Sequence, residues 1–140
     1  MKQKLKIFLL FFFSVSLIMA QNPDSVNQID KNGQKQGYWE KHYSNGKIQY
    51  TGSFENNKPV GEFKRYNQDG TLKVSMIYKA NSNKVYSKFF YPNMKVHSEG
   101  YYIDKLKDSI WNYFSQNNDL IQVYDFTNKK LIYNIIDVSS

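Results

Sequence analysis

The chain of 140 residues carries 19 basic and 12 acidic side chains, a formal net charge of +7, and its length allows one small domain. Zero cysteine excludes disulfides, thiolate metal sites, cysteine nucleophiles and lipid attachment through cysteine. Aromatic residues at 17% (10 Phe, 12 Tyr, 2 Trp) argue against a disordered tail, while the charge invites an acidic partner such as nucleic acid or an anionic membrane.

Part of that charge belongs to the first twenty residues. Lys2, Lys4 and Lys6 precede an apolar run, Ile7 to Phe13, continued by Val15, Leu17, Ile18 and Met19 and ending at Ala20 before Gln21, Asn22 and Pro23. A charged start, an apolar middle and a small-residue end are the layout of a secretory signal peptide. A transmembrane helix needs about 20 apolar residues, and this stretch is shorter and interrupted by Ser14 and Ser16. Residues 1–20 are therefore read as a leader, cleaved between Ala20 and Gln21, and the absence of a junction cysteine excludes a lipoprotein. Removal leaves 16 basic against 12 acidic residues, a net +4. The mature protein is expected to be exported, periplasmic or extracellular, with no transmembrane segment.

Residues 21–36 are polar apart from Val26 and Ile29, and form a lead that is flexible or docks on the first strand. Residues 37–133 then carry a fourfold repeat of about 24 residues, the first thing to look for in such a chain. Turn positions Gly46, Gly70, Asn93 and Asn118 recur, each preceded by an aromatic seven residues earlier: Trp39, Phe63, Tyr86 and Trp111. A second series follows three residues after each of these rings, at His42, Tyr66, Phe89 and Phe114. A third, Phe54, Tyr78, Tyr102 and Phe126, is spaced by 24 throughout.

Asn45-Gly46 and Asp69-Gly70 are strong hairpin signals of the type I′ kind, which needs positive φ at both central residues. Asn93 and Asn118 hold the glycine place in the last two units, Asn being the side chain that best tolerates that backbone. After each turn alternate residues are apolar, as in Leu72, Val74, Met76 and Tyr78, which predicts strands with one face committed to packing. Before each turn the i, i+3 spacing of rings predicts a bend or bulge. Second turns are expected at Asn56–Pro59, Asn81–Asn83, Asp104-Lys105 and Asn128-Lys129. The chain reads as an all-β, elongated antiparallel meander of about four stacked hairpins, roughly eight short strands, with residues 134–140 as a tail whose Ile135, Ile136 and Val138 extend a last edge strand.

The run Gly37-Tyr38-Trp39, Tyr43-Ser44-Asn45-Gly46-Lys47 and Gly52-Ser53-Phe54-Glu55-Asn56-Asn57-Lys58-Pro59-Val60-Gly61, repeated in part as Gly61-Glu62-Phe63 and Tyr66–Gly70, resembles MORN-type repeats. The likeness is greatest to the bacterial variant labelled YwqK-family antitoxins. It is strong in the first two units and degenerate in the last two, where Lys84 and Ser109 stand in place of Gly37 and Gly61. The resemblance implies a twisted sheet of stacked hairpins and a binding or scaffolding role, and it supplies no catalytic residue.

The residues themselves point the same way. His42 and His97 lie in different units at different hairpin positions, so no imidazole base or ligand pair forms. No phosphate loop, zinc spacing or nucleophile elbow is present. The expectation is no enzyme, no catalytic residue, no metal and no cofactor. Lys41, Lys64, Arg65 and Lys88 alternate with rings, a pattern seen in single-strand nucleic-acid binders. On an exported chain of +4 it is read instead as protection of exposed strands. Rings not needed for packing, namely Tyr38, Tyr43, Phe90, Tyr91 and Tyr101, are candidates for a partner-binding face, taking another protein or an envelope component. The leading reading is an exported protein-binding or scaffolding module. The alternatives are an antitoxin or immunity-like protein and a small envelope hydrolase using Glu40, Glu62 or Glu99.

Overall fold

The computed structural model describes residues 26–135; the leader, its Ala20–Gln21 junction, and Ile136 and Val138 of the tail lie outside the described residues. Ten strands follow one another in a single antiparallel sheet whose spatial order is the chain order. They are β1 (Gln28–Ile29), β2 (Lys35–His42), β3 (Ile48–Glu55), β4 (Lys58–Tyr66), β5 (Leu72–Tyr78), β6 (Lys84–Phe90), β7 (Val96–Ile103), β8 (Leu106–Phe114), β9 (Leu120–Asp125) and β10 (Lys130–Asn134). The all-β meander is thus as the sequence predicts, with two more strands than the eight expected. The polar lead docks: β1 pairs with β2. The last strand is β10, ahead of the tail.

One face carries the rings. Cross-strand partners place Trp39 beside Gly52, Gly52 beside Phe63, Phe63 beside Met76, and Met76 beside Ser87. Ser87 then faces Gly100, and Trp111 faces Tyr124. Two buried centres result. Phe63 is stacked on Tyr50 (5.2 Å) and met edge-on by Phe54 and Tyr78. Trp111 is fully buried among Tyr102 (5.1 Å), Phe89, Tyr113 and Phe126, and its indole N–H donates to the Tyr101 carbonyl (3.0 Å). Among the described residues the sheet is a single layer with no second layer over these rings, and lysine stems do part of that work. Lys35 lies over Trp39 and Phe54 (4.4 and 4.9 Å), and Lys107 over Trp111 and Phe126 (4.2 and 5.3 Å).

The hairpin turns that follow β2, β4, β6 and β8 differ from the expected type. In the first, Tyr43 N–H donates to Lys47 O, Gly46 N–H donates to Tyr43 O, and Gly46 has φ 79° with no positive φ at Asn45. This is a three-residue loop closed by one left-handed residue. It recurs with Gly70 (φ 92°), Met94 (φ 66°) and Asn118 (φ 76°). Met94, not Asn93, therefore holds the glycine place in the third unit. Asn93 instead matches Asn45: each accepts the N–H of the residue two ahead (3.1 Å). The two-residue turns with both φ positive lie at the opposite rim, at Asn56-Asn57 and Asp104-Lys105. A methionine in the left-handed region is strained. Met94→Gly is expected to raise stability by about 0.5–1 kcal/mol, read as a higher Tm in thermal denaturation; an unchanged or lower Tm would contradict this account.

Each of these hairpins carries the expected bulge, but the extra residue sits after the turn, at Gln49, Lys73, His97 and Ile121. These positions step by 24, as do His42, Tyr66, Phe90 and Phe114 before the turn. Phe90, not Phe89, is the third member of that series, and it pairs with Val96 as Tyr66 pairs with Leu72. Likewise the place of Trp39, Phe63 and Trp111 is taken in the third unit by Ser87, which is 1% exposed. Tyr86 projects from the other face, paired with Ile77 and Tyr101.

Neighbouring units are tied in twos. The Tyr43 hydroxyl donates to the Tyr66 carbonyl (2.7 Å), and the Tyr91 hydroxyl to that of Phe114 (2.9 Å). The Asn45 and Asn93 amides reach the carbonyls of Gln68 and Gln116 in the same way (2.9 and 3.5 Å). Phe63 lies over Gly52 and Trp111 over Gly100. Gly61-Glu62 and Ser109-Ile110 are looped out against β3 and β7 respectively, with φ 68° at Gly61 and 60° at Ser109. Every one of these pairs is 48 residues apart, so the sheet is built from two double-hairpin modules joined where β5 meets β6 in unbroken register.

Candidate functional site

The face opposite the rings is polar, because alternation within each strand sends the intervening residues there. A continuous row crosses it: Glu40, Thr51, Lys64, Ser75, Lys88, Glu99, Asn112 and Val123, each paired with the next. Lys64 is paired with Glu62 (2.9 Å), which also accepts from the Ser75 hydroxyl (3.0 Å). Lys88 is paired with Glu99 (3.1 Å). The row is therefore close to charge-balanced along its length.

Beside it lies a second, more apolar row. Ile77 pairs with Tyr86 and Tyr86 with Tyr101, whose rings are 5.0 Å apart and tilted by 53°. With Lys79, Ser82 and Lys84 they line an open recess of about 510 Å³. The Lys84 ammonium lies 4.4 Å from the centre of the Tyr101 ring, 3.9 Å from Asp108 and 3.3 Å from the Ser109 hydroxyl. Burial, then the hydrogen bond to the Glu99 carboxylate and its charge, push the Tyr86 phenol up to about 12. Burial works against the charge of Glu99, but hydrogen bonds from Tyr86 and Lys88 outweigh it and hold the carboxyl below its ordinary value.

These shifts have opposite signs in their effect on stability. A raised phenol means the folded state keeps its proton longer, so the Tyr86 contribution is full below pH 10.0 and is lost as pH rises through about 12. A lowered carboxyl means the Glu99 contribution is present above pH 4.5 and is lost as pH falls through the lowered value. Tyr86→Phe is accordingly expected to remove the phenolate step near pH 12 from an absorbance titration of the folded protein. Its stability deficit relative to wild type should shrink over the same interval. A titration curve unchanged by the substitution would contradict the assignment.

The five rings expected to form a partner-binding face are not brought together. Tyr38 and Tyr101 do share the polar face, but on β2 and β7. Tyr38 donates to Glu40 (3.1 Å) and stands opposite Ser53. Tyr43 and Tyr91 spend their hydroxyls on the inter-hairpin ties, and Phe90 belongs to the repeating frame. His42 is exposed on β2, 4.0 Å from Glu40. The His97 ring lies against Tyr91 (4.8 Å), with Nδ1 3.0 Å from the Ser98 hydroxyl, two units away from His42. Among the described residues no group of three or more His, Asp or Glu side chains converges, and no helix is long and apolar enough to cross a membrane.

The sequence reading offers Glu99 only as a hydrolase carboxylate and Lys88 only as protection of an exposed strand, and it does not single out Tyr86 as a site residue. The available signal was the strict count of 24, which puts Tyr86 in frame with Tyr38 and out of frame with Trp39.

The two ends of the sheet differ. At the first, Asn27 covers the rim of β2, its N–H donating to Tyr38 O and its side-chain oxygen accepting the Glu40 N–H (both 2.9 Å). The turn over Asp30 is tied to Gln36 (3.0 Å). At the other, β10 is the outermost strand and exposes Leu131, Ile132 and Tyr133, with Ile135 just beyond it. Comparison with family models, with curated proteins and with solved structures finds no match to this chain.

Proposed function

We propose that this protein is an exported, non-enzymatic binding or scaffolding module of the cell envelope, which engages a partner protein by adding one of its strands to β10. The observation that carries this is the contrast between the sheet's two rims. A repeat array needs a polar terminal unit to stay apart from other chains, and an open edge strand templates pairing. Here the first rim ends in the two-residue β1, where Ile29 is exposed beside Asn27 and the polar turn over Asp30, whereas β10 offers a longer strand with three contiguous exposed apolar side chains on an outer edge. Strand addition uses main-chain hydrogen bonds for affinity and flanking side chains for selectivity. The resemblance of the first two units to MORN-type repeats, mostly binding modules, supports the same reading.

The test is a pull-down from the source organism's envelope extract with the mature chain and with its Ile132→Pro variant. Ile132 sits at the bulge in β10, where an edge strand tolerates proline, yet the missing donor and the ring obstruct an incoming strand. A partner captured by the wild type and lost with the variant is the expected result. Capture of nothing, or equal capture by both, would overturn the proposal.

A further inference from the structure

We infer that the recess over Tyr86 and Tyr101 is a saccharide-binding site that takes an extended, uncharged, β-linked glycan chain. The recess lies mid-sheet, away from the β10 rim, and stands independently of strand addition there. The first argument is that the repeating frame is given up at this place and nowhere else among the described units. Ser87 occupies the ring position of Trp39, Phe63 and Trp111, Val85 occupies that of Gly37, Gly61 and Ser109, and β6 pairs with β5 without the looped-out residues of the other units. Departures of this kind from local consistency are expected at functional sites. In the first module the place of Tyr86 is held by Tyr38, but Ser53 stands opposite it where the second module has Tyr101. The ring pair is thus peculiar to the second module.

The second argument is chemical. Two neighbouring tyrosine rings, tilted by 53°, give with Ile77 an apolar patch able to meet the C–H face of a sugar ring. The Lys84 ammonium, 4.4 Å from the Tyr101 centre, and the Lys88 ammonium, 5.8 Å from that of Tyr86, stand over it as donors. The 5.0 Å between ring centres is comparable to the advance per residue of an extended β-1,4-linked chain. Fixed donors and acceptors stand alongside for hydroxyl groups: Lys88 with Glu99, and Lys84 with Asp108. Lys84 and Lys88 are each matched by a carboxylate, and Lys79 is the one further ammonium on the lining, so the site carries about one positive charge and what it offers is mainly hydrogen bonding to hydroxyl groups. A peptide is the poorer occupant. β6 and β7 are each paired on both sides, so no main-chain groups are left there for an added strand, and the recess is too open to grip single side chains.

The experiment is isothermal titration of the mature chain with two soluble probes, the β-1,4-linked hexamers of glucose and of N-acetylglucosamine. Binding of at least one is expected, weakened about tenfold by Tyr86→Ala and by Tyr101→Ala, the loss of one stacked ring. Tyr38→Ala and Ile132→Pro should leave it unchanged, which separates this site from the β10 rim. Saturation-transfer NMR on the unaltered protein, observing contact from tyrosine rings to sugar C–H protons, tests the stacking even where a variant fails to fold. Failure of both hexamers to bind, binding by folded Tyr86 and Tyr101 variants equal to wild type, or absence of ring-to-sugar transfer would overturn the assignment.

Discussion

Trp111→Ala is expected to remove about 3–5 kcal/mol of stability, the range for deleting a large buried ring. That is a large share of the ~5–15 kcal/mol that holds a domain of this size together. Trp111 is 0% exposed, and its ring organises the second module. It covers Gly100, is met edge-on by Tyr102 and Phe126, and ties its N–H to Tyr101 O. Truncation leaves that carbonyl without its donor and Lys107 without the ring beneath it, in a single sheet with no second layer to collapse into the gap. Trp39, in the same frame position of the first unit, is only partly buried, pairs with Phe54 at 6.0 Å and sits near the first rim. Trp39→Ala should therefore cost distinctly less. Urea unfolding followed by circular dichroism compares the two, and equal midpoint shifts would contradict the idea that the module is built around Trp111.

The second large effect is expected at Gly52. A Cβ built there would lie 2.1 Å from Phe63 Cδ2 and within 2.8 Å of two further ring atoms. The ring cannot retreat, because Tyr50 stacks on it and Phe54 and Tyr78 meet it edge-on. Gly52 has no positive φ, so it is kept for space and not for backbone freedom. Gly52→Ala is expected to cost about 1–3 kcal/mol, the usual range for overpacking. In a Phe63→Val background, where the ring is gone, the same change should become neutral or favourable, since alanine suits a strand interior better than glycine. A double-mutant cycle on unfolding free energies reads the difference, and additivity within about 0.5 kcal/mol would refute the ring-over-glycine account. Gly100 beneath Trp111, with a Cβ 2.5 Å from the indole, should behave alike.

Much of this architecture was legible because turns are local. Polar clusters with Gly or Asn mark both sets of turns, and alternation between them marks the strands. The errors came from matching residue types in place of counting. Pairing Tyr86 with Trp39 and Asn93 with Gly46 looks chemically better than pairing Ser87 and Met94, yet each slides the frame by one. In a strand a one-residue slip sends a side chain to the opposite face. That is why a ring assigned to packing turned out to stand on the polar face beside Tyr101. Gly52 and Gly100 were overlooked because a glycine inside a strand is informative only once the ring above it is known.

The sequence by itself determined an all-β meander with a period of 24, since that period is written in turn residues and alternation, which act over a few neighbours. The tertiary structure alone decided that the units operate in twos. A bulky ring at this position packs over bare backbone in the strand beside it, so Phe63 and Trp111 each require a glycine in the preceding unit, at Gly52 and Gly100. The Tyr43 and Tyr91 hydroxyls then tie the same units together. Those contacts join separate strands and hairpins, and no local pattern records them. Pairing across strands likewise set Tyr86 beside Tyr101 and made β10 the outermost strand among the described residues, the two places where a partner is proposed to bind.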